Sequence, residues 1–381
     1  MLEPLTNTEL KVPELLSMID SGEPLLLLDV RNEDEHRSWP LEGRRPVETI
    51  HIPYFEFIEA AEASLAKVPA HPGPIAVLCA KGGSSELVAA LLRETGRAAQ
   101  NVAGGMAAYG EYLLPVRVPL DKDKADITGL EIWQINRRGK GCLSYVIRAG
   151  GEAIVIDPSR QVDFYQAWVK GLGARIVRVL DTHIHADHVS GGAALARRTG
   201  APYFVPAAGA PRLDARAIPE SALLHADVLA TPGHTPESVC YLIGGRYLFT
   251  GDTLFSDGIG RPDLGGHLRE WGRELYRSLH QRLLGVLDQA LVLPAHYAGP
   301  SAIQADGTVT GRLRTLRQSV PELQLVGEDE FIRALTSQMR PAPRHYEDIV
   351  KVNLGAAEAS EEQVCEWELG RNQCAVARVA A

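Results

Sequence analysis

The 381-residue sequence contains no run of about eighteen apolar residues, the length that a membrane-spanning helix needs. Its amino terminus, MLEPLTNTELKVPELL, also lacks the basic segment and the following apolar segment of a secretory signal. Both absences predict a cytoplasmic protein that does not bind a membrane.

Paired cysteines and clustered positive charge are missing as well. The five cysteines are scattered without a CxxC pair, which argues against a disulfide framework and for a reducing compartment. The net charge is −9 and no basic stripe is present, so nucleic acid is not expected as a partner.

The length predicts two domains, because a single hydrophobic core rarely grows beyond about 250–300 residues. The polar, charged stretch VPLDKDKADITG lies between denser apolar segments and is typical of a domain boundary. We therefore predict a first domain over 1–118, a linker over 119–127, and a second domain with a C-terminal extension over 128–381.

The first domain alternates strand and helix patterns. The apolar runs PLLLLDV (24–30) and PIAVLC (74–79) predict buried strands. SELVAALLRETG (85–96) has leucines at helical spacing and stops at a glycine. Strand, loop and helix in repetition predict an α/β domain with a mostly parallel sheet.

The second domain shows the same alternation and is also predicted to be α/β. SYVIRAGGEAIVID (144–157), RIVRVLDT (175–182) and GRYLFTGD (245–252) are predicted as strands, with a helix over 191–200. Polar residues follow several of these strands. Because ligands of α/β sheets collect at the carboxyl ends of strands, we expect the chemistry there.

One candidate reactive group is Cys79, which closes a predicted strand. The small, flexible loop after it leads into a helix and consists of Ala80, Lys81, Gly82, Gly83, Ser84 and Ser85. Backbone N–H groups of such a loop can point inward and bind an anion, and a helix N-terminus and Lys81 both favour a thiolate. The alternative interpretation is a buried structural cysteine before a glycine turn.

The first domain resembles a rhodanese, a sulfurtransferase, over most of residues 10–115. The resemblance rests on LLLLDVRNEDEH (25–36), CAKGGSS (79–85) and NVAGGMAAY (101–109). It implies that Cys79 carries a persulfide between donor and acceptor, cradled by the loop backbone. Two positions depart from the family pattern: Ile50 stands where glycine usually precedes His-Ile-Pro, and Ala80 stands where arginine is common.

A second candidate site begins at DTHIHADH (181–188) and continues in TPGHTPES, FTGDTLF and LPAHYAG. Four separate segments thus supply side chains of the kind that bind metals. Imidazole and carboxylate are ligands for zinc, iron or manganese. The candidate ligands are His183, His185, Asp187, His188, His234, Asp252 and His296.

These motifs resemble the metallo-β-lactamase superfamily, whose order of HxHxDH, His, Asp and His they follow over about 128–320. The resemblance implies an αββα sandwich with the metal at one edge of its two sheets. Two branches of the superfamily fit the ligands. Glyoxalase II enzymes use all seven to hold two metals and hydrolyse a glutathione thioester, whereas persulfide dioxygenases use one ferrous iron.

In the dioxygenase branch, the iron ligands correspond to His183, His234 and Asp252. Two histidines and one carboxylate form a facial triad that leaves three positions open for substrate sulfur and O₂. The remaining candidates would then orient ligands or water, whereas in the hydrolase branch they would complete a two-zinc site. These remaining candidates are His185, Asp187, His188 and His296.

Three features favour the dioxygenase. GDTLFSDGIGRPDLGG (251–266) resembles the Gly-Arg-x-Asp element of persulfide dioxygenases, which makes Arg261 a candidate substrate contact; Tyr297, beside His296, is another. The C-terminal segments resemble bacterial lactamase-fold proteins that occur with rhodaneses. The fusion also suits the chemistry, since one domain would produce sulfite and the other would join sulfite to sulfane sulfur.

The sequence therefore predicts an Fe(II)-dependent persulfide dioxygenase with one iron per chain and thiosulfate sulfurtransferase activity at Cys79. Its small-molecule partners would be a persulfide of glutathione or of another low-molecular-weight thiol, O₂, sulfite and thiosulfate. Dioxygenases of this fold are often dimers, which leaves a homodimer open. The alternatives are a two-zinc, glyoxalase II-like thioester hydrolase and a non-enzymatic sulfur carrier or sensor.

Overall fold

The computed structural model describes residues 7–121, 129–206, 226–283, 288–337 and 341–376. The chain divides into two compact units. The first is made of residues up to Leu114 together with 137–140 and 369–371, and the second of the remainder. Of the predicted linker, 122–127 lies outside the described residues, so the predicted linker stays a prediction.

The first unit contains a five-stranded sheet in which every neighbouring pair is parallel. Its strands, in the order β1-β5-β4-β2-β3, are β1 (Glu9–Leu10), β2 (Leu26–Asp29), β3 (Glu48–His51), β4 (Ile75–Leu78) and β5 (Ala99–Val102). The two apolar runs of the sequence form β2 and β4, and every residue of both strands is buried. A parallel sheet that is covered on both faces requires such continuous apolar strands.

Helices cover both faces of this sheet. They are α1 (Val12–Ser21), α2 (Glu33–Ser38), α3 (Tyr54–Glu59), α4 (Ala61–Lys67), α5 (Gly83–Glu94) and α6 (Gly105–Glu111). Successive leucines of β2 point into different cores: Leu27 packs with Met106 on one side, and Leu28 packs with Val88 on the other. The predicted α/β architecture with a parallel sheet is confirmed.

The second unit contains a six-stranded sheet. Its strands, paired in chain order, are β6 (Leu114–Arg117), β7 (Glu131–Arg137), β8 (Cys142–Ala149), β9 (Glu152–Ile156), β10 (Arg175–Leu180) and β11 (Tyr203–Phe204). The prediction of one strand over 144–157 is wrong. Gly150, with φ +57°, begins a turn that splits the segment into the antiparallel strands β8 and β9. Strand β6 belongs to this sheet although its residues precede the predicted boundary at 118.

A second, five-stranded sheet follows. Its strands, paired in chain order, are β12 (Ala226–Ala230), β13 (Val239–Ile243), β14 (Tyr247–Gly251), β15 (Leu291–Pro294) and β16 (Gly311–Arg312). One core cluster contains side chains of both sheets. Within it the rings of Tyr145 and Phe249 meet edge to face, with centroids 4.9 Å apart. The two sheets therefore pack face to face.

The helices of this unit are α7 (Val162–Gly171), α8 (Gly192–Thr199), α9 (Leu268–Arg277), α10 (Leu313–Ser319), α11 (Glu328–Ser337), α12 (Tyr346–Asn353) and α13 (Glu361–Trp367). A further core cluster joins the second sheet to α9, α10 and α11 through Leu248, Leu275, Leu316 and Phe331. No helix among the described residues is long and apolar enough to cross a membrane. Helices flanking two packed sheets confirm the predicted α/β sandwich.

In both units, the candidate reactive cysteine and metal ligands lie at the ends of strands. Cys79 directly follows β4, the segment 181–188 follows β10, Asp252 follows β14, and His296 lies two residues beyond β15. The residues that end each strand are buried, and the candidate ligands and the cysteine lie just beyond them, where ligands of α/β sheets collect.

Candidate active sites

Cys79 receives two hydrogen bonds from the loop that follows it. The N–H of Gly82 donates to its Sγ at 3.0 Å, and the hydroxyl of Ser85 lies 3.1 Å from the same atom. Cys79 is only 5% exposed. Lys81 is exposed and influences the thiol through its backbone N–H. The predicted loop thus contacts the sulfur mainly through backbone groups and one hydroxyl.

These contacts set the acidity of the thiol. Burial raises the pKa of Cys79, whereas hydrogen bonds from Ser85, Lys81 and Gly82 lower it. The hydrogen bonds prevail, so the pKa lies below the ordinary thiol value. A larger fraction of thiolate, the form that attacks a sulfane sulfur, is then present at neutral pH.

The segment after β5 supports the Cys79 loop. Gly105 has φ +57°, and a Cβ there would lie 2.2 Å from the carbonyl oxygen of Cys79, so only glycine allows this approach. The N–H of Met106 donates to that oxygen at 2.9 Å. Asn101 Oδ1 lies 2.7 Å from Ser85 Oγ and so helps to orient the hydroxyl. The sequence marks this segment as part of a family pattern but gives no signal for these contacts.

Three predicted metal ligands converge in the second unit. Asp252 Oδ2 lies 3.8 Å from His183 Nε2 and 3.4 Å from His234 Nε2. Each of these residues is 1% exposed. None of the three atoms has a hydrogen-bond partner among the described residues. Because buried polar atoms are costly to leave unpaired, their convergence indicates a metal site.

Hydrogen bonds on the far side of the two rings fix their tautomers. Thr182 donates its hydroxyl proton to Asp157 Oδ2 at 2.9 Å, and so it accepts from His183 Nδ1, which also lies 2.9 Å away. The carbonyl oxygen of Arg261, which can only accept, lies 2.8 Å from His234 Nδ1. Both rings therefore carry their proton on Nδ1 and present the lone pair of Nε2 to the centre.

Gly260 permits the second of these contacts. A Cβ at this position would lie 2.0 Å from the carbonyl oxygen of Asp252 and 3.0 Å from His234 Nδ1. The side chain of Arg261 is 3% exposed and pairs with Asp263 through Nε–Oδ1 (2.7 Å) and Nη2–Oδ2 (2.6 Å). The structure thus gives Arg261 a backbone role at the metal site, and its predicted contact with substrate stays a prediction.

His296 lies between two carboxylates. Its Nδ1 is 2.5 Å from Asp252 Oδ1, and its Nε2 is 3.0 Å from Asp187 Oδ2. Burial lowers the pKa of His296, but the charges of Asp187 and Asp252 outweigh this effect and raise the pKa well above its usual value. Since ionised carboxylates only accept hydrogen bonds, a ring that is protonated on both nitrogens satisfies these two contacts.

The other two histidines of the metal loop each have one partnered nitrogen. His188 Nδ1 lies 3.0 Å from Asp187 Oδ1, and His185 Nε2 lies 3.2 Å from Asp157 Oδ1. Their remaining nitrogens have no hydrogen-bond partner among the described residues. Burial lowers the pKa of His185, but the hydrogen bond and charge of Asp157 raise it, to about 9.

Asp157 is a site residue that the sequence prediction misses. It is buried and has φ +51°, which is rare for a residue other than glycine. Its carboxylate also accepts the N–H of Thr182 at 2.7 Å. Its position directly after β9 is the signal that could have found it, because the other site residues also follow strands.

Two cysteines lie against the predicted metal ligands. The thiol of Cys142 donates to Asp187 Oδ2 at 3.1 Å. The sulfur of Cys374 lies within 4.8 Å of ligand atoms of Asp252 and His296. Burial raises the pKa of Cys374 well above its usual value, and the nearby carboxylates add to the effect. Chain spacing gives no signal for either cysteine, since both reach the site through the tertiary fold.

The C-terminal region fixes the backbone of the metal loop. Asn353, the last residue of α12, donates its Nδ2 to the carbonyl oxygens of His185 at 2.8 Å and of His188 at 2.9 Å. Glu368, which follows α13 and is 3% exposed, accepts the N–H of Val189 at 2.8 Å. These two residues hold the loop that carries four of the seven candidate ligands.

Tyr297 is placed in the core that the two sheets share. It is 1% exposed, and its hydroxyl donates to Asn136 Oδ1 at 3.1 Å. The hydroxyl therefore has a partner within the core, and its predicted contact with substrate stays a prediction.

Known proteins match both units. Residues 11–112 match the rhodanese-like domain, and residues 137–227 and 222–301 match the metallo-beta-lactamase superfamily. The mitochondrial persulfide dioxygenase ETHE1 of Mus musculus is 28% identical over 222 residues, which are 54% of this chain and 80% of that protein. A hydroxyacylglutathione hydrolase of Anaeromyxobacter dehalogenans is 37% identical over 188 residues, which are 46% of this chain and 71% of that protein.

A solved structure is also similar to this chain. The crystal structure of ETHE1 from Myxococcus xanthus superposes with a TM-score of 0.50 and 28% sequence identity, covering 65% of this chain and 100% of that one. The matched ranges contain Cys79 on one side and all seven candidate metal ligands on the other. The chain belongs to the metallo-β-lactamase superfamily and carries a rhodanese-like domain in its N-terminal part.

Proposed function

We propose that this protein oxidises a low-molecular-weight persulfide with O₂ at one iron ion and transfers sulfane sulfur at Cys79. The observation that carries the proposal is which metal-ligand atoms have no hydrogen-bond partner and so keep a lone pair for a metal. His183, His234 and Asp252 present three converging atoms without hydrogen-bond partners, whereas both nitrogens of His296 are held by carboxylates. A single metal with three protein ligands fits this arrangement better than two metals.

The donor set suits ferrous iron, since two imidazoles and one carboxylate on one face are typical of non-haem iron oxygenases. Bound iron would supply open coordination positions for the terminal sulfur of the persulfide and for O₂. The chain's own residues prepare these ligands. Thr182 and the Arg261 carbonyl hold the two Nε2 lone pairs in place, and His296 binds Asp252 Oδ1 so that Oδ2 remains for the metal.

The overall oxidation converts one persulfide, one O₂ and one water into one thiol, one sulfite and two protons. At Cys79, the thiolate attacks the outer sulfur of a second persulfide, the S–S bond breaks, and the thiolate that leaves takes up a proton. Sulfite then attacks the sulfur bound to Cys79 and departs as thiosulfate, which restores the thiolate. The Gly82 N–H and the Ser85 hydroxyl stabilise the negative charge at sulfur throughout.

The second candidate function is a two-zinc thioester hydrolase. It is favoured by the 37% identity to a hydroxyacylglutathione hydrolase. The partnerless nitrogens of His185 and His188 also favour it, because they could join a second metal. His296 would first have to give up one of its carboxylate contacts.

The test loads the full chain with iron under anaerobic conditions and measures O₂ uptake with glutathione persulfide, together with sulfite, thiosulfate and metal content. We expect one iron per chain and O₂ uptake that Asp252→Asn abolishes. Cys79→Ser should keep the uptake and lose thiosulfate formation. Absence of uptake, together with hydrolysis of a glutathione thioester by protein holding two zinc ions, would replace the proposal with the hydrolase.

A further inference from the structure

A groove adjoins the metal residues. Its volume is about 190 Å³. Ile184 and Ala186, which alternate with the histidines of the metal loop, form one wall, and Pro236, two residues after His234, forms another. Both loops that carry iron ligands therefore contribute to the groove. A molecule whose sulfur reached the metal could place its carbon part there.

The remaining walls are mostly apolar. Trp271 comes from α9, Val350 from α12, and Leu264 and Leu354 from neighbouring loops. Among the described residues that line the groove, Glu237 alone is charged, and none is a cation. Burial of an apolar ligand group in such a groove is favourable. The described lining residues offer no ion-pair partner to a carboxylate on the ligand.

Carboxylates lie beside two of the residues that line the groove. Burial and the carboxylates of Glu347 and Asp263 raise the pKa of Tyr346, which lines the groove. Glu237 accepts the N–H of Ile184 at 3.1 Å, so its carboxylate is fixed beside the metal loop. Glutathione carries two carboxylates and would find no cation among the described residues that line the groove.

We propose that this groove selects a persulfide whose organic group is uncharged and apolar, in preference to glutathione persulfide. The proposal rests on the proposed function, since it assigns the groove to the substrate of the adjacent metal. The size of the occupant follows from the volume. An apolar cavity of about 150 Å³ holds benzene, so this groove suits an aromatic ring or a chain of about six to eight carbons.

The test compares kcat/KM for O₂ uptake by the iron-loaded full chain with benzyl persulfide and with glutathione persulfide. We expect the benzyl compound to be preferred by about tenfold or more, since burial of a ring of this size is favourable while the glutathione carboxylates stay unpaired. Binding of benzyl thiol and of glutathione to the same protein is measured by calorimetry in parallel.

Val350→Lys places a cation in the groove and should lower the preference for the benzyl compound by about tenfold or more. Ala356→Lys adds the same charge at an exposed position just after α12 and should keep the original preference. Trp271→Ala, which removes apolar surface without adding charge, should also lower the preference for the benzyl compound. It replaces Val350→Lys as the test if that variant does not fold.

The outcomes separate the two proposals. O₂ uptake with a preference for glutathione persulfide would overturn the inference while the proposed function stands. Absence of uptake with both persulfides would overturn the proposed function. In that case tighter binding of benzyl thiol than of glutathione still supports the apolar groove, and tighter binding of glutathione overturns it.

Discussion

The hydroxyl of Ser85 should control the acidity of Cys79, and Ser85→Ala tests this. A hydrogen bond to a charged group contributes about 1.5–3 kcal/mol, and one pKa unit corresponds to about 1.4 kcal/mol. Complete loss of the contact would therefore raise the pKa by roughly one to two units. Because Ser85 Oγ also lies 2.7 Å from Asn101 Oδ1, part of its hydrogen bonding is directed elsewhere. We expect a rise of about one unit.

The assay is the rate of iodoacetamide alkylation of Cys79 as a function of pH, followed by mass spectrometry of the peptide that contains it. Only the thiolate reacts, so the rate rises with pH and levels off above the pKa. The wild-type midpoint should lie below the ordinary thiol value. In Ser85→Ala the curve should move to higher pH by about one unit, and the rate well below both midpoints should fall about tenfold.

Two further variants sharpen the test. Ser84→Ala is a matched control, since the structure shows no hydrogen bond from Ser84 to the sulfur, and its curve should follow the wild type. Ser85 has one hydroxyl proton, and both Cys79 Sγ and Asn101 Oδ1 lie within its reach as acceptors. Asn101→Asp puts a charged, stronger acceptor beside the hydroxyl, so it should draw this proton away from the sulfur and raise the pKa of Cys79.

Superposition of the Ser85→Ala and wild-type curves would refute this reasoning. It would mean that backbone N–H groups alone stabilise the thiolate. A fall in the pKa of Cys79 in Asn101→Asp would contradict the assignment of the hydroxyl proton.

Two other predictions concern the second unit. Asn353→Ala removes the donor to the carbonyl oxygens of His185 and His188, so the dissociation constant for iron, measured by competition with a chelator, should rise about tenfold or more. Asn353→Asp, which also lacks the donor, should behave alike, and wild-type affinity in both would contradict the role of this contact. Burial raises the pKa of Cys240 to about 12, so this thiol should stay unlabelled by iodoacetamide at pH 8 in the folded chain. Labelling of Cys240 as fast as that of Cys79 would disprove it.

Local patterns predicted the parts of the fold and of the site that depend on neighbouring residues. The apolar runs of β2 and β4 indicate buried strands because a parallel sheet covered on both faces favours continuous apolar runs. The loop that begins at Cys79 and the segment 181–188 were found in the same way, since their chemistry is contiguous in the sequence. The single strand predicted over 144–157 is wrong because the two glycines within this apolar segment form a turn.

Long-range contacts could not be predicted from spacing. Cys142 and Cys374 are far apart in the sequence, yet both lie against the metal ligands. Asn353 has no motif around it that indicates a contact with His185. The side chain of Arg261 pairs with Asp263, and its carbonyl oxygen orients His234, a backbone role that the sequence does not indicate. Such roles depend on which loops the fold brings together.

Because residues of the C-terminal region fix the backbone of the metal loop, this loop can be completed only late in protein synthesis. Glu368 lies about 180 residues beyond His188 in the sequence. A ribosome that adds about 5–20 residues per second needs roughly 10–40 s to make that stretch. During this interval the loop carries its histidines but lacks the Glu368 contact that fixes Val189. The loop can reach its final shape only after residue 368 has been translated, so a metal ion that needs the fixed loop would bind late in synthesis.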